Sequence, residues 1–256
     1  MRIIIIIGIC ILILFVSLLF SENIREPFGK KEFVNLVLYS ESEHYNQMYE
    51  ITRKYYSTFS NVKTIYYTFD ESLREPAILR GDILYIQGKN TFIPGILDKT
   101  VKAMEYAAAN YQFDYLVRTN ISTIVNFDKL QDYLCDKPMD YGGVRFLVDS
   151  IQPTYGITDS TYFGTEYASG ICIIMSQRTI DIILREQGKL DTRVIDDVAL
   201  GILVKQLGIP TSYLSENTYL FLENVDDIRS THMIFRNHNG DRAKDVENMR
   251  RSVSVL

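Results

Sequence analysis

The chain has 256 residues, of which 46% are hydrophobic and 23% are charged, and this composition is that of a globular protein with one large domain or two small ones. The formal net charge of −5 argues against a general nucleic-acid-binding protein, because such proteins carry a basic face. The three cysteines show no CxxC or Cys/His spacing that would indicate zinc. Two of them, Cys135 and Cys172, can pair or remain free thiols.

The N-terminus contains an apolar run from Ile3 to Phe20. A helix over this run would span roughly 27 Å at 1.5 Å per residue, close to the ~30 Å hydrocarbon core of a bilayer. The residues that follow lack a small-x-small cleavage site. We therefore predict an uncleaved signal anchor over residues 1–21 and a short stem over residues 22–31, with a cleaved signal peptide as the alternative. Basic residues are more numerous after the run than before it, so charge alone does not support a cytoplasmic N-terminus.

After residue 31, apolar runs alternate with helical patterns. Strands that alternate with helices of this length imply βαβ units. The sequence therefore predicts one α/β domain over residues 32–256, with a mostly parallel central sheet flanked by helices. The predicted strands are Phe33–Ser40, Val62–Phe69, Asp82–Ile86, Tyr115–Arg118 and Ala168–Met175. The predicted helices are Glu43–Phe59, Pro94–Ala109, Phe127–Cys135, Gln177–Gln187 and Val194–Leu207.

Three polar clusters are candidates for chemistry. They are Arg118-Thr119-Asn120-Ile121-Ser122, Tyr167-Ala168-Ser169-Gly170, and Asp196-Asp197-Val198 with Gly201. The first follows a predicted strand, and ligands of open α/β sheets bind just beyond the carboxyl ends of the strands. The two aspartates open a predicted helix, where acidic residues also favour the helix dipole. Their position therefore has a structural as well as a functional explanation.

The order and spacing of these clusters resemble the β-1,3-galactosyltransferase and Fringe-like group of glycosyltransferases. That group has a helix ending in Lys-Thr, a strand running into Asp-x-Asp, a Ser-Gly loop, and Glu-Asp-Val before a helix. The matching pieces here are Lys99-Thr100, the strand FDYLVRTN, Tyr167-Ala168-Ser169-Gly170, Asp196-Asp197-Val198-Ala199-Leu200-Gly201 and Leu207-Gly208-Ile209-Pro210. The resemblance covers roughly residues 80 to 215, and it implies the GT-A nucleotide-sugar fold.

The resemblance implies an inverting transfer of a sugar from a nucleotide-sugar donor, expected to be a UDP-sugar, to a glycan or glycoprotein hydroxyl. Asp197 is the candidate base and Asp196 its neighbour, since adjacent carboxylates raise one another's proton affinity. The candidate donor-binding residues are Tyr39, Ser40, Lys99, Arg118, Thr119, Asn120 and Ser122. The candidate residues for the acceptor or the transferred sugar are Gly142, Gly143, Ser169 and Gly170.

The chain departs from the group at the Asp-x-Asp motif, which is replaced by Asn120-Ile121-Ser122. Neutral oxygens ligate Mn²⁺ or Mg²⁺ poorly, because these ions favour hard anionic ligands. Either the metal is lost or weakly held, or protein cations stabilise the diphosphate instead. The candidates for that role are Arg118 and the C-terminal group His232, Arg236, His238 and Arg242. His232 corresponds to a metal-binding histidine of the group, whereas the plain alternative for the C-terminal residues is a solvated tail.

Two other functions stay open. The first is a catalytically silent GT-A domain that binds glycans or a protein partner, which the loss of Asp-x-Asp favours and the two aspartates argue against. The second is an unrelated membrane-tethered hydrolase or phosphatase, for which the sequence offers no GxSxG and no Cys/Arg loop. The anchor and the resemblance together predict a single-pass, type II protein of a secretory-pathway membrane, in contact with the lipid bilayer through residues 3–20.

Overall fold

The structure is a computed structural model that describes residues 30–256. The predicted signal anchor and nearly all of the predicted stem lie outside the described residues. Within residues 30–256, no helix is both long enough and apolar enough to cross a membrane. Residues 31–256 form one compact unit.

The described residues contain eleven strands in two sheets. The central sheet has eight strands in the order β3-β4-β2-β1-β5-β8-β7-β9, and a smaller sheet has the order β10-β11-β6. The strands are β1 (Phe33–Leu38), β2 (Val62–Asp70), β3 (Ala77–Arg80), β4 (Ile83–Gln87), β5 (Tyr115–Asn120), β6 (Thr123–Val125), β7 (Tyr141–Leu147), β8 (Glu166–Ser176), β9 (Thr211–Tyr213), β10 (Tyr219–Phe221) and β11 (Ile234–Arg236).

The central sheet is mostly parallel, as predicted. Strands β4, β2, β1 and β5 run in parallel pairs, and β7 pairs in parallel with β9. Strand β8 is antiparallel to both of its neighbours, β5 and β7. Its reversed direction brings its first residues to the edge where β5 and β7 end. This edge therefore combines the carboxyl ends of parallel strands with the amino end of β8.

Six α-helices of the described residues cover the two faces of the sheet. They are α1 (Glu43–Tyr56), α2 (Gly95–Asn110), α3 (Phe127–Asp136), α4 (Gln177–Arg185), α5 (Asp196–Gln206) and α6 (Arg242–Val253). Alternate residues of β1 contribute to the two cores: Val37 packs with α1, α3 and α6, whereas Leu36 packs with α2, α4 and α5. This alternation is the period of two expected of a strand buried on both faces.

Polar residues fix the first turns of several helices. Ser42, Asn126, Ser176 and Asp241 each accept a hydrogen bond from a backbone N–H of the helix that follows. Such caps satisfy donors that have no partner within the helix. Cys135 and Cys172 are free thiols, which settles the alternative left open by the sequence.

The small sheet connects the C-terminal part of the chain to the end of β5. Strand β6 begins three residues after β5, and β11 pairs with it in antiparallel fashion, with Arg236 opposite Thr123. The backbone N–H of Asn237 also donates to the carbonyl oxygen of Ser122, at 2.9 Å. Arg236 is thereby held beside Asn120 and Ser122.

Candidate active site

A cleft runs along the carboxyl edge of the central sheet and contains three adjoining cavities. The β4-side cavity, about 640 Å³, is lined by residues that follow β1, β2 and β4. The central cavity, about 400 Å³, shares Ser40, Phe92, Ile96 and Lys99 with it. The β7-side cavity, about 620 Å³, shares Asn120, Gly170, Asp197 and Arg236 with the central one. This is the edge at which open α/β sheets bind ligands.

Asp197 lies where the central and β7-side cavities meet. Its Oδ2 accepts a hydrogen bond from the backbone N–H of Gly170 at 2.9 Å, and its Oδ1 accepts one from Val198 at 2.9 Å. Burial and then the charge of Asp196 raise the pKa of Asp197 to about 6, against the opposing effect of these hydrogen bonds and of Arg118. A carboxylate with this pKa accepts a proton readily near neutral pH.

Asp196, the preceding residue, is not available for proton transfer. Its Oδ2 lies 2.7 Å from Nη2 of Arg118 and accepts a hydrogen bond from Thr100 Oγ at 3.1 Å. The hydroxyl of Thr100 is in turn 2.9 Å from that of Tyr67. Asp196 is therefore a buried structural partner of Arg118. Its negative charge raises the pKa of the neighbouring Asp197.

The backbone of Gly170 connects Arg118 to Asp197. Its carbonyl oxygen accepts a hydrogen bond from Arg118 Nη1 at 2.8 Å, while its N–H donates to Asp197. A Cβ atom at this position would lie 2.4 Å from Arg118 Nη1. Glycine is required here because the guanidinium group approaches the backbone too closely for a side chain. Gly170 thus lines the cleft, and its N–H positions Asp197.

Most of the predicted donor-binding residues line the cleft. Tyr39, Ser40, Lys99, Arg118, Asn120 and Ser122 surround the central cavity, together with Arg236. Ser169 lines the β7-side cavity. Arg118 points into the protein, where its Nη1 also donates to Asn120 Oδ1 at 2.9 Å. Its Nη1 and Nη2 atoms are thus bonded to protein acceptors, whereas its buried Nε has no hydrogen-bond partner among the described residues.

Four predicted residues are not brought to the cleft. Thr119 is fully buried and faces away from Arg118 and Asn120, because side chains alternate along a strand. A Cβ atom on Gly142 or Gly143 would lie 1.7 Å from Ser212 O or 2.0 Å from Cys172 O, so these glycines allow close packing of β7 against its neighbours. They have no place among the acceptor-binding residues.

The fourth residue is His232, the expected metal-binding histidine. Its Nδ1 accepts a hydrogen bond from the backbone N–H of Arg229 at 3.1 Å, and its ring packs against Phe235. Burial and then the charges of Arg229 and Lys129 lower its pKa. His232 thus stabilises a turn away from the cleft, and His238 is the histidine that lines the β7-side cavity.

Several cleft residues were not among the predicted site residues. The β7-side cavity has an aromatic lining made of Phe146, Tyr155, Tyr167 and Phe221. Tyr155 lies in the polar, aromatic segment between β7 and β8. The frequency of aromatic residues in that segment could have indicated a binding surface. The neighbouring sequence does not show that these residues face Asp197.

The cleft does not fit a divalent cation. Within residues 30–256 no group of three or more His, Cys, Asp or Glu side chains is arranged to hold a metal. Asn120 Oδ1 and Ser122 Oγ each accept a hydrogen bond from an arginine. Neutral oxygens already bonded to guanidinium groups are poor ligands for Mn²⁺ or Mg²⁺.

Comparison with known proteins gives a similarity in structure and none in sequence. No family profile matches the chain, and no curated protein matches its sequence. Among solved structures, a glycosyltransferase involved in the glycosylation of the major capsid of PBCV-1 is similar over 86% of this chain and 99% of that one, with 10% identity and a TM-score of 0.52. The likeness is one of fold.

A second solved structure is the mannosyltransferase PcManGT from Pyrobaculum calidifontis in complex with GDP-Man and Mn²⁺. It matches 74% of this chain with 12% identity and a TM-score of 0.43, and this chain spans about half of its length (56%). The α/β fold predicted from the sequence, with its mostly parallel sheet, is confirmed and is shared with a known glycosyltransferase.

Proposed function

We propose that this protein is an inverting glycosyltransferase that moves a sugar from a nucleotide-sugar donor to a hydroxyl group of an acceptor. The observation that carries the proposal is the position of Asp197, a carboxylate with a raised pKa between two cavities at the carboxyl edge of the sheet. The fold shared with a glycosyltransferase supports the same class of reaction.

The donor occupies the β4-side and central cavities in this proposal, and the acceptor occupies the β7-side cavity. Asp197 removes the proton from the acceptor hydroxyl as the hydroxyl oxygen attacks the anomeric carbon of the donor sugar. The nucleoside diphosphate leaves from the opposite face with the electron pair of the broken bond. Because attack and departure occur on opposite faces, the anomeric configuration is inverted.

A carbohydrate acceptor fits the lining of the β7-side cavity. Phe146, Leu147, Tyr155 and Phe221 are 39%, 46%, 42% and 49% exposed, which is unusual for large apolar side chains. Aromatic rings in a cavity offer flat apolar surfaces, and the nearby polar groups of Gln152, Asp149 and His238 can form hydrogen bonds. We therefore propose a glycan or glycoprotein acceptor, with a UDP-sugar as the donor to be tested first.

The test is a transfer assay on the full-length chain in detergent. UDP-, GDP- and CMP-sugars are supplied with a panel of glycan acceptors, and nucleotide release and the anomeric configuration of the product are measured. We expect one nucleotide class to support transfer with inversion, and Asp197→Asn to lower its rate by about 10²- to 10⁴-fold. Asp181→Asn, on the exposed face of α4, is the matched control and retains activity.

The same assay tests the main alternative. Nucleotide binding without transfer by the parent protein, under every condition, would favour a silent glycan- or partner-binding domain. Retention of the anomeric configuration would contradict the role given to Asp197, since a single displacement inverts it.

We also propose that residues 3–20 anchor the protein in the bilayer of a secretory-pathway membrane, in type II orientation. The length and apolar character of this run support the proposal. Alkaline carbonate extraction and protease protection of the full-length protein in microsomes test it. Release by carbonate, or digestion of the residues 32–256 domain in sealed vesicles, would contradict it.

A further inference from the structure

A buried lysine and a half-buried arginine face the central cavity without a carboxylate partner. Lys99 is 5% exposed; its Nζ donates to Asn90 Oδ1 at 3.1 Å and lies 5.5 Å from the centre of the Phe69 ring. Arg236 donates from Nη1 to Ser122 Oγ at 2.5 Å. Within residues 30–256, neither forms an ion pair with Asp or Glu. A charge held away from water without a partner is unfavourable, so an anion in this cavity would stabilise both.

The other two arginines of the central cavity are already neutralised. Arg118 pairs with Asp196, and Arg242 Nη1 lies 2.9 Å from the buried carboxylate of Asp245. Burial and then the charges of Arg242 and Arg118 lower the pKa of Arg236 to about 10. Burial is the larger cause of this shift, and the two arginines add to it. The unpaired positive charge of the cavity thus rests on Lys99 and Arg236.

The arginines also occupy the place that a metal would need. Ser122 stands at the second acidic position of the Asp-x-Asp motif, and its hydroxyl oxygen is bonded to Arg236. A divalent cation there would be repelled by the guanidinium group and would meet a neutral oxygen instead of a carboxylate. A guanidinium and a metal ion therefore exclude each other at this position.

We infer that the cleft binds the diphosphate of its donor directly through Arg236 and Lys99, without a divalent cation. The inference rests on the proposed function for the identity of the ligand as a nucleoside diphosphate. Arg236 offers a planar fork of N–H donors that matches phosphate oxygens, and Lys99 adds a point charge from the side of the β4-side cavity. As the glycosidic bond breaks, both cations stabilise the negative charge that develops on the leaving diphosphate.

Calorimetric titration of the full-length protein in detergent tests the inference, with UDP, GDP and inorganic pyrophosphate as probes. Each probe is titrated in EDTA and again in Mn²⁺. We expect at least one nucleoside diphosphate to bind in EDTA, with an affinity that Mn²⁺ changes by less than about threefold. Arg236→Gln and Lys99→Gln should each weaken this binding by about 10- to 100-fold, the range for loss of a charged hydrogen bond.

Matched variants separate a charge effect from loss of folding. Arg178→Gln, on the exposed face of α4, should bind as the parent does. Arg236→Lys keeps the charge and should recover part of the lost affinity. Ser122→Asp supplies Arg236 with a carboxylate, so it should weaken binding in EDTA while leaving the cation in place. Thermal unfolding of each variant confirms that it is folded.

The inference is overturned if every probe requires Mn²⁺, or if Arg236→Gln and Lys99→Gln bind as tightly as Arg178→Gln does. It is also overturned if the folded parent binds none of the three probes at millimolar concentration. Different outcomes contradict the proposed function. Transfer that depends on Mn²⁺ would retain the glycosyltransferase and reject the metal-free site, whereas EDTA-resistant binding without transfer would do the reverse.

Discussion

Asp196 Oδ2 lies 2.7 Å from Arg118 Nη2, and both side chains are 2% exposed, so the ion pair is enclosed by the protein. The next residue, Asp197, has a different environment. Successive residues on an α-helix point about 100° apart, which turns Asp196 inward and Asp197 toward the cleft. The two adjacent carboxylates thus have separate environments: Asp196 holds Arg118, and Asp197 is the residue that accepts a proton in the proposed reaction.

Breaking the buried ion pair should destabilise the domain strongly. Arg118→Met leaves Asp196 as a buried charge and deprives the carbonyl of Gly170 of its donor, so we expect a loss of about 3–5 kcal/mol in the free energy of unfolding. Urea denaturation followed by circular dichroism measures it. The double variant Arg118→Met/Asp196→Asn removes both charges and should be more stable than Arg118→Met alone. A single variant within 1 kcal/mol of the parent would contradict the enclosed geometry.

Asp197→Asn should separate activity from stability. The single amide oxygen can still accept the hydrogen bond from Gly170, while the bond from the Val198 N–H is lost. The amide cannot take a proton, so kcat should fall by about 10²- to 10⁴-fold. Removal of a charge that burial and Asp196 disfavour offsets the lost hydrogen bond, so the variant should have a Tm close to that of the parent at pH 7. Thermal unfolding and initial rates measure the two effects. A clear drop in Tm would show that Asp197 has a structural role instead.

The pH dependence of the reaction should report the pKa of Asp197. Only the ionised form accepts a proton, and its pKa is raised to about 6, so kcat/KM should rise tenfold per pH unit below about pH 6 and level off above it. The free energy of unfolding depends on pH in the opposite direction. The folded state binds this proton more tightly than the unfolded chain does, so stability from this group is lost as pH rises from about 4 to about 6.

Asp197→Asn provides the control for both pH profiles. Its stability should lack the decline between about pH 4 and pH 6 that the parent shows for this group. A parent rate that does not change across this pH range would mean that another group accepts the proton.

Gly170→Ala should inactivate the protein with little effect on substrate access. The added Cβ would lie 2.4 Å from Arg118 Nη1, so the guanidinium or the strand must move, and the N–H that orients Asp197 moves with it. We expect a fall of about 10²-fold in kcat, since small displacements of a catalytic group have effects of this size. Gly188→Ala, where nothing lies within 4 Å, is the matched control. Equal activities of the two variants would contradict the positioning role.

The sequence predicted the long strands of the central sheet better than the short strands of the small sheet. Long apolar strands such as β1 and β8 are visible because burial requires continuous apolar runs. The small sheet was missed because strands of three residues, such as β6 and β11, show no period. Thr119 was placed in the site, although the alternation along β5 turns it away from Arg118 and Asn120.

The sequence also predicted only part of the candidate site. Asp197, Gly170 and Lys99 lie in clusters whose order along the chain carries information. The pairing of Arg118 with Asp196 links residues far apart in sequence, and nothing local to either residue indicates it. His232 and Arg236 lie in the same charged C-terminal segment, and only the pairing of β11 with β6 shows which of them reaches the cleft.

The position of Arg236 on β11 has a consequence for the newly made chain. Synthesis completes the inner strands of the central sheet and Asp197 well before Arg236 leaves the ribosome, and N-terminal parts of a protein generally fold first. A growing chain can therefore have Asp197 and Lys99 in place while Arg236, the other unpaired cation of the central cavity, is still missing. Under the proposed function, the donor site is complete only after β11 pairs with β6, so donor binding would come late in the synthesis of residues 31–256.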